Sequence, residues 1–473
     1  MQARSKQTPF GGRRVAAGPW RLRLPAIVLA AACGREEPAQ PDAAALEFQK
    51  QLQTRLITAQ PGDVIRIPAG VHPITRGLSL NVSGVTIRGE GMDKSILSFK
   101  GQVQGAEGLL VNASDFTIED LAIEDTPGDG LKVNEGRNIV IRRVRTEWTN
   151  GPDEKNGAYG IYPVQAENVL VEECVAIAAS DAGIYVGQSR NVVVRNNRAE
   201  RNVAGIEIEN TFYADVYGNV TNENTGGILV FNMPDLPQPG HSTRVYQNTV
   251  VGNNTDNFGA EGTPVASVPA GSGIVINSND KVEIFDNDIR DNDTANIIIS
   301  SYYATGYQGT REVADDYDPY PETIYVYGNT MSGGGSSPDG LELKALKVAK
   351  FGLTGSLPDV LWDGYVNADK VDENGKLLPE HAICVDNDAA EVLNADLGKG
   401  SVAIVAEDEV ADRVVDHDQV LPAVGVEIEG DHTKPLPHRV AGDRVGDADA
   451  GGGRNIGEGA VAVVAIELVV GAD

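Results

Sequence analysis

The chain has 473 residues, a formal net charge of -29 and aromatic side chains at only 5% of its positions. Binding to nucleic-acid phosphates needs clustered lysines and arginines, so this acidic balance argues against a nucleic-acid partner. It also disfavours tight binding of polyuronates unless Ca²⁺ or a local basic patch intervenes. The length is ample for a large core, and a solenoid can exceed the usual domain size because every coil buries its face on the next.

Residues 1–33 have the pattern of an export signal. Arginines precede a short apolar run that ends in small residues at Cys33, and this run is too brief to span a bilayer. Small residues directly before a cysteine are typical of a lipoprotein signal, with ordinary signal cleavage as the alternative. We expect an exported protein, periplasmic or on the outer surface, whose residues 34–44 tether it to a lipid anchor at Cys33 and which has no other membrane attachment.

The next segment predicts a cap at the start of the fold. Residues 42–58 have a helical pattern, with Phe48, Leu52 and Leu56 four residues apart on one narrow apolar stripe. Residues 62–70 follow as a strand. An open stack of strands would leave bare edges at its end, and a helix covers them.

Residues 168–230 contain one module three times: a short β-branched run, a polar turn and a second run opened by glycine. The opening glycine recurs along the chain with steps of 30, 23, 22, 22, 46 and 67 residues. A period of 22 to 23 residues is typical of one coil of a right-handed parallel β-helix, and the longer steps indicate extra coils or inserted loops. The glycines are Gly130, Gly160, Gly183, Gly205, Gly227, Gly273 and Gly340.

Alternation within each run predicts which side chains enter the coil. Ile206 and Ile208 lie two residues apart and share the inward face, whereas Tyr185 and Glu207 are expected to point to solvent. Asparagine recurs at the turn position three residues after the last inward-facing aliphatic residue of the first run. Its side-chain amide can form hydrogen bonds to the coils above and below, so the recurrence predicts a second, polar ladder. Its members are Asn197, Asn219, Asn248, Asn287 and Asn329, with Cys174 and Val144 in the same slot of earlier coils.

These features resemble the right-handed parallel β-helix proteins of the pectin-lyase-like superfamily over about residues 61–398, most of all an uncharacterised group of exported or lipidated bacterial β-helix repeat proteins. The resemblance implies an all-β solenoid. We expect an N-terminal cap at 45–77, the β-helix at 78–345 and a C-terminal cap at 346–400. The superfamily includes lyases, hydrolases, epimerases, phage tailspikes and non-catalytic binders, so the resemblance implies no single activity.

Residues 401–473 differ in character from the coils. They contain no Phe, Tyr or Trp, and 15 acidic residues stand against 5 basic ones. Such a stretch buries little and specifies no core. We expect a poorly structured acidic tail, and the loss of the repeat leads to the hypothesis that it is off-frame or otherwise non-native.

Equivalent positions of successive coils stack about 4.8 Å apart, so outward residues form two parallel columns on the strand that follows the glycine. We call these the first and the second column. The first column is Lys132, Tyr162, Tyr185, Glu207, Leu229 and Val275, and the second is Asn134, Val164, Gly187, Glu209 and Phe231. Trp148 and Tyr159 come from the neighbouring turn. Aromatic rings beside charged groups suit a sugar, which predicts Trp148, Tyr159, Tyr162 and Tyr185 as substrate-binding residues.

Catalytic residues are not identified by any complete motif. Lys132, Glu207 and Glu209 are the candidates, although a surface lysine and two solvated glutamates are the more common interpretation of such positions. Residues 101–331 contain one histidine, His241, so a lyase would have to abstract a proton with Lys132 or a tyrosine. No cofactor is expected, apart from Ca²⁺ at the acidic loop formed by Asp315, Asp316 and Asp318.

Two functions remain open. The first is binding or cleavage of an extracellular polysaccharide in a groove on one sheet, by a lyase or a glycoside hydrolase if the protein is an enzyme. The second is a non-catalytic scaffold or partner-binding lipoprotein that engages an envelope protein, which the absence of a complete catalytic motif favours.

Overall fold

The computed structural model describes residues 43–305, 317–387, 390 and 392–395. The predicted export signal with Cys33, most of the tether, the loop residues Asp315 and Asp316 and the tail at 401–473 lie outside the described residues. Within the described part, no helix is long and apolar enough to cross a membrane.

Short parallel strands make up most of the described chain. Two α-helices, α1 (Ala43–Thr58) and α2 (Leu341–Phe351), and short 3-10 turns at Pro264–Ser267, Tyr302–Ala304, Ala368–Lys370 and Pro379–His381 accompany them. The strands are β1 (Val64–Arg66), β2 (Gly70–Pro73), β3 (Arg76–Leu80), β4 (Thr86–Arg88), β5 (Ser95–Ser98), β6 (Gln104–Val111), β7 (Phe116–Glu124), β8 (Leu131–Asn134), β9 (Arg137–Glu147), β10 (Ile161–Val164), β11 (Glu167–Glu172), β12 (Val175–Ile177), β13 (Ala182–Gly187), β14 (Arg190–Arg195), β15 (Arg198–Glu200), β16 (Ala204–Glu209), β17 (Phe212–Tyr217), β18 (Val220–Asn222), β19 (Gly226–Phe231), β20 (His241–Tyr246), β21 (Thr249–Val251), β22 (Ser272–Asn277), β23 (Asp280–Phe285), β24 (Asp288–Arg290), β25 (Ala295–Ser300), β26 (Glu322–Tyr327), β27 (Thr330–Ser332), β28 (Val360–Trp362), β29 (Ile383–Asp386) and β30 (Val392–Asn394).

Most coils contribute three strands, and each strand pairs in parallel with its equivalent in the next coil. The strands opened by glycine all belong to one sheet of the described chain, which we call the site sheet and which consists of β3, β6, β8, β10, β13, β16, β19, β22, β25, β28 and β30. The remaining strands form two further faces, joined through the long strands β7 and β9. The predicted parallel β-helix is confirmed, with stacking that begins at β1 and continues to β30, beyond the expected limits of residues 78 and 345.

The core is an aliphatic ladder inside the coil. Ile184, Ile206 and Ile228 are paired in register and have no exposed surface. A methyl group on Gly205 would lie 2.6 Å from the carbonyl oxygen of Gly227, which explains why glycine opens the strand. At the N-terminal end, α1 buries Leu52 and Leu56 against the first coil as predicted.

The asparagine ladder is also present. The Asn219 side chain donates to the carbonyl oxygen of Val194 and to Oδ1 of Asn248, both at 2.9 Å, and its own Oδ1 accepts from the backbone and side chain of Asn197 at 2.9 Å. A second ladder of the same kind, which the sequence analysis did not identify, runs through Asn202, Asn224, Asn253 and Asn292. Both satisfy the backbone at buried turns.

The run after Gly340 was expected to be a strand, and this is wrong. Residues 341–351 form α2, because LELKALKVAKF consists almost entirely of good helix formers between two glycines that cap it. The strands that continue the site sheet there are β25 and β28. Strand β25 was missed because Asn296 stands where earlier coils have glycine.

Candidate functional site

The two columns predicted on the site sheet exist in the predicted register. Tyr162 pairs with Lys132, Glu207 pairs with Tyr185 on one side and with Leu229 on the other, and Leu229 pairs with Val275. In the second column, Val164 pairs with Asn134 and Gly187, and Glu209 pairs with Gly187 and Phe231. Lys132, Tyr162, Tyr185, Glu207 and Glu209 therefore share one outer face.

The expectation that Tyr185 and Glu207 point to solvent is wrong. They lie outside the coil, but their exposed fractions are only 4% and 3%. Apolar residues of the insertions after β19 and β21 pack in one cluster with this part of the sheet. These residues are Met233, Val265 and Val268, and the insertion sequences gave no register that placed them over the columns.

Three tyrosines form one wall of the site. The ring centroids of Tyr159 and Tyr162 are 4.4 Å apart, those of Tyr159 and Tyr185 are 4.6 Å apart, and those of Tyr162 and Tyr185 are 4.9 Å apart with the planes nearly perpendicular. Tyr159 and Tyr162 remain half-buried. The structure thus brings together three of the four predicted aromatic residues.

Trp148 does not join the tyrosines. Its side chain is 5% exposed and packs with Val175, Ile177 and Ala179 in a separate cluster. The indole nitrogen donates a hydrogen bond of 2.7 Å to the carbonyl oxygen of Thr126. The indole fills the turn between coils and has no free face for a sugar.

Behind the tyrosines lies a cluster of three carboxyl groups, Asp181, Glu207 and Glu209. Asp181 was not identified from the sequence because it lies in the turn before β13, outside the alternating pattern. Glu209 accepts hydrogen bonds on Oε1 from the hydroxyl of Tyr185 at 2.8 Å and from the amide of Gln188 at 3.3 Å. Glu207, in contrast, has a buried Oε2 without a hydrogen-bond partner.

Burial and mutual repulsion hold protons on this cluster. Desolvation, with the charges of Asp181 and Glu209, raises the pKa of Glu207 well above its usual value. Desolvation and the charge of Glu209 raise the pKa of Asp181 to about 8. Desolvation raises the pKa of Glu209 to about 7, although the hydrogen bond from Tyr185 opposes this. Near neutral pH the group therefore holds both protonated and ionised carboxyl groups.

The tyrosines themselves stay protonated. Desolvation raises the pKa of Tyr162 to about 12, with the charge of Asp129 as the next cause. The pKa values of Tyr159 and Tyr185 are raised well above 10.0 for the same first reason. They can donate hydrogen bonds, but a tyrosinate base is strongly disfavoured.

Lys132 stands at the open edge of the site. Its Nζ lies 4.7 Å from the centre of the Tyr162 ring and 3.8 Å from a carboxylate oxygen of Asp129. Burial raises the pKa of Asp129 to about 6 despite that lysine. The ammonium is thus shared between a ring face and a carboxylate.

Asp318, the described member of the predicted Ca²⁺ loop, belongs to a different acidic group. Asp280, Asp318 and Glu322 have carboxylate oxygens within 4.8 Å of one another, a spacing that could hold a metal ion. Lys370 already lies 2.7 Å from both Asp318 and Glu322, and it neutralises part of the charge there.

A second aromatic column lies on another face of the coil, where Tyr217, Tyr246, Phe285 and Tyr327 stack with centroids 4.8 to 5.0 Å apart. Their planes differ by 12° or less, so each inner ring is covered on both faces by its neighbours. A sugar stacks on a free ring face, and the tyrosine wall beside Glu207 suits one better.

Comparison with known proteins agrees with this architecture. The family model described as "Right handed beta helix region" matches residues 80–235 and 154–308. This chain is a right-handed parallel β-helix protein. No curated protein matches it.

Several solved structures are similar to this β-helix protein. They include the A-module of the mannuronan C-5 epimerase AlgE6 of Azotobacter vinelandii, at 16% identity over 76% of this chain and 93% of the other, with a TM-score of 0.46. The alginate lyase AlyF-OU02 is 12% identical over 76% of this chain and 86% of the other, with a TM-score of 0.40. The DFA-IIIase of Arthrobacter chlorophenolicus A6 is 12% identical over 78% of this chain and 97% of the other, also with a TM-score of 0.40. At these identities the likeness concerns the fold and assigns no activity.

Proposed function

We propose that this β-helix protein hydrolyses glycosidic bonds of a neutral polysaccharide, with Glu207 as proton donor and Glu209 as the second carboxylate. The observation that carries this function is the Glu207 carboxyl, which is 3% exposed, lies beside two other acids and has one oxygen without a partner. Glycoside hydrolysis needs two carboxyl groups in different environments, one that keeps a proton and one that does not.

The two roles follow from the contacts of each group. Tyr185 and Gln188 donate hydrogen bonds to Glu209, and donors of this kind stabilise the ionised form. Once Glu209 carries a charge, its repulsion makes ionisation of Glu207 harder still. Glu207 then holds the proton that a departing sugar oxygen needs, and the reaction needs no cofactor.

The charge of the site favours a neutral substrate. Lys132 is the one basic residue in the two columns, and it already lies 3.8 Å from Asp129. A uronate chain would bring further carboxylates towards Asp181 and Glu209 without a compensating cation. A lyase reaction with a tyrosine as the base is also disfavoured, because the pKa values of the three tyrosines are all raised.

The test is hydrolysis of neutral polysaccharides, with inulin, levan, xylan, laminarin and galactomannan as substrates and alginate and pectate as the acidic comparison. We expect the wild-type protein to release reducing sugar from a neutral polymer, and Glu207→Gln to lower that rate about 100- to 10,000-fold. Glu154→Gln, at an exposed loop position, is the matched control. Full activity of Glu207→Gln, or cleavage of the uronate polymers alone, would contradict this function.

We further propose that the protein is exported and anchored to the cell envelope by lipid on Cys33. The support is the sequence of residues 1–33 alone, in which small residues lead directly into the cysteine. Incorporation of labelled palmitate into the wild-type protein and its absence in Cys33→Ala is the expected result. Equal labelling of the two proteins, or no labelling of either, rejects the anchor.

A further inference from the structure

The carboxyl cluster lies within the covered part of the outer surface of the site sheet, close to where the open part ends. Towards the N-terminal end, the first column continues through Ser79, Leu110 and Lys132. These residues and Tyr162 are only half-buried. Towards the C-terminal end, the exposed fractions of Leu229 and Val275 are 0% and 5%. The first column is therefore accessible as far as Tyr162 and closed from Tyr185, which is 4% exposed, through Glu207 to Val275.

The second column shows the same change. Asn81 and Asn112 are exposed and Asn134 is half-buried. Their side chains are linked by amide hydrogen bonds of 2.9 Å and 3.2 Å. Beyond Glu209, the exposed fraction of Phe231 is 4% and that of Asn277 is 1%. The open row of amides therefore ends at Asn134, and the covered part of the second column begins at Val164, which is 6% exposed, and continues beyond the acids at Phe231.

Hydrogen bonds hold the insertion after β19, which lies on the closed side, to the coil. The Asn210 side chain donates to the carbonyl oxygens of Met233 and Gln238 at 2.9 and 2.8 Å, and its Oδ1 accepts from the backbone nitrogen of Met233 at 2.7 Å. From the other side, the hydroxyl of Tyr317 donates to the carbonyl oxygen of Asn232 at 2.6 Å. Because this segment is hydrogen-bonded on both sides, we expect it to stay in place and to close the open surface permanently, unlike a loop that opens for each substrate.

We infer that the site takes the end of a neutral polysaccharide chain, and that the remainder of the chain lies over Tyr162, Lys132 and the Asn134–Asn112–Asn81 row. This inference rests on the proposed function. A bond in the interior of a polymer can reach Glu207 only if chain leaves the acids in both directions, and Phe231 and Met233 occupy one of them. The amide row offers donors and acceptors at about 4.8 Å intervals, one per coil, to the hydroxyls of successive sugars.

The product pattern on the neutral polysaccharides named above tests this mode of action. We expect short products of one or two sizes from the first minutes, while the remaining polymer keeps its length in size-exclusion chromatography. A fast fall in polymer length with a broad ladder of oligosaccharides would overturn the end-directed mode but leave the proposed hydrolysis intact. Absence of any cleavage of the neutral polymers would overturn both.

A variant away from the acids tests the direction of the bound chain. Asn112→Ala removes an exposed amide from the row, and Asn150→Ala is the exposed control outside it. We expect Asn112→Ala to raise KM for long oligosaccharides several-fold more than KM for the shortest one cleaved, with no such difference in Asn150→Ala. Equal effects on long and short substrates would overturn the placement of the chain on this row.

Discussion

Asp181→Asn gives the sharpest test of the electrostatics of the site. Burial raises the pKa of this carboxyl from 3.8 to about 8, so the folded state binds a proton more tightly than the unfolded state does. The contribution of this carboxyl to the free energy of unfolding is therefore fully present below pH 3.8 and is lost as the pH rises towards 8. Each tenfold difference in proton affinity corresponds to about 1.4 kcal/mol, so the loss between pH 4 and pH 7 is about 4 kcal/mol.

Asparagine has the shape of the protonated acid but cannot ionise. We expect wild-type protein and Asp181→Asn to unfold at similar urea concentrations at pH 4, and the variant to be more stable by a few kcal/mol at pH 7. The value of about 4 kcal/mol is an upper figure, because Asp181 shares its charge interactions with Glu207 and Glu209. Urea unfolding at several pH values measures it, and Glu154→Gln serves as the exposed control. An equal loss of stability with pH in wild type and Asp181→Asn would refute the reasoning.

Three further substitutions have definite expected results. Asn219→Ala leaves buried ladder groups unpaired and should lower the free energy of unfolding by about 2–4 kcal/mol, and an unchanged urea midpoint would reject the ladder's role. Lys370→Met leaves the buried carboxyl of Glu322 beside His381 but without its lysine, so we expect a loss of about 3 kcal/mol at pH 7 and a smaller loss at pH 4, because burial raises the pKa of Glu322 and favours its protonated form there. Tyr185→Phe removes a hydrogen bond that lowers the pKa of Glu209, so the acid limb of the pH–rate profile should move to higher pH, and a limb that stays in place would argue against Glu209 as the ionised partner.

The coil itself was predictable from the sequence because its physical requirements repeat. The glycine that opens each strand marks a position without room for a side chain, as at Gly205. The asparagines mark buried turns that need amide bonds. Since the same register recurs from coil to coil, the neighbours of Tyr162 and Glu207 in the columns could be derived from the sequence alone.

The burial of the site could not be derived in the same way. Tyr185 and Leu229, the two neighbours of Glu207 in the first column, pack with insertions whose sequences have no period, so nothing in those sequences indicates which column they overlie. Asp181 escaped notice because it lies in a turn, where a single aspartate resembles an ordinary turn former. For Trp148, the sequence could not distinguish an indole that fills a turn from one that faces a groove.

The most direct measurement of the central claim, that Glu207 holds a proton at neutral pH, is infrared spectroscopy of its carboxyl group. Spectra of the wild-type protein and of Glu207→Gln at pH 7 are compared in the region of the protonated carboxyl carbonyl band. The expected result is a band in the wild type that loses intensity in Glu207→Gln, because burial and the neighbouring charges raise the pKa of this group well above its usual value. Loss of an ionised carboxylate band in its place would contradict the account.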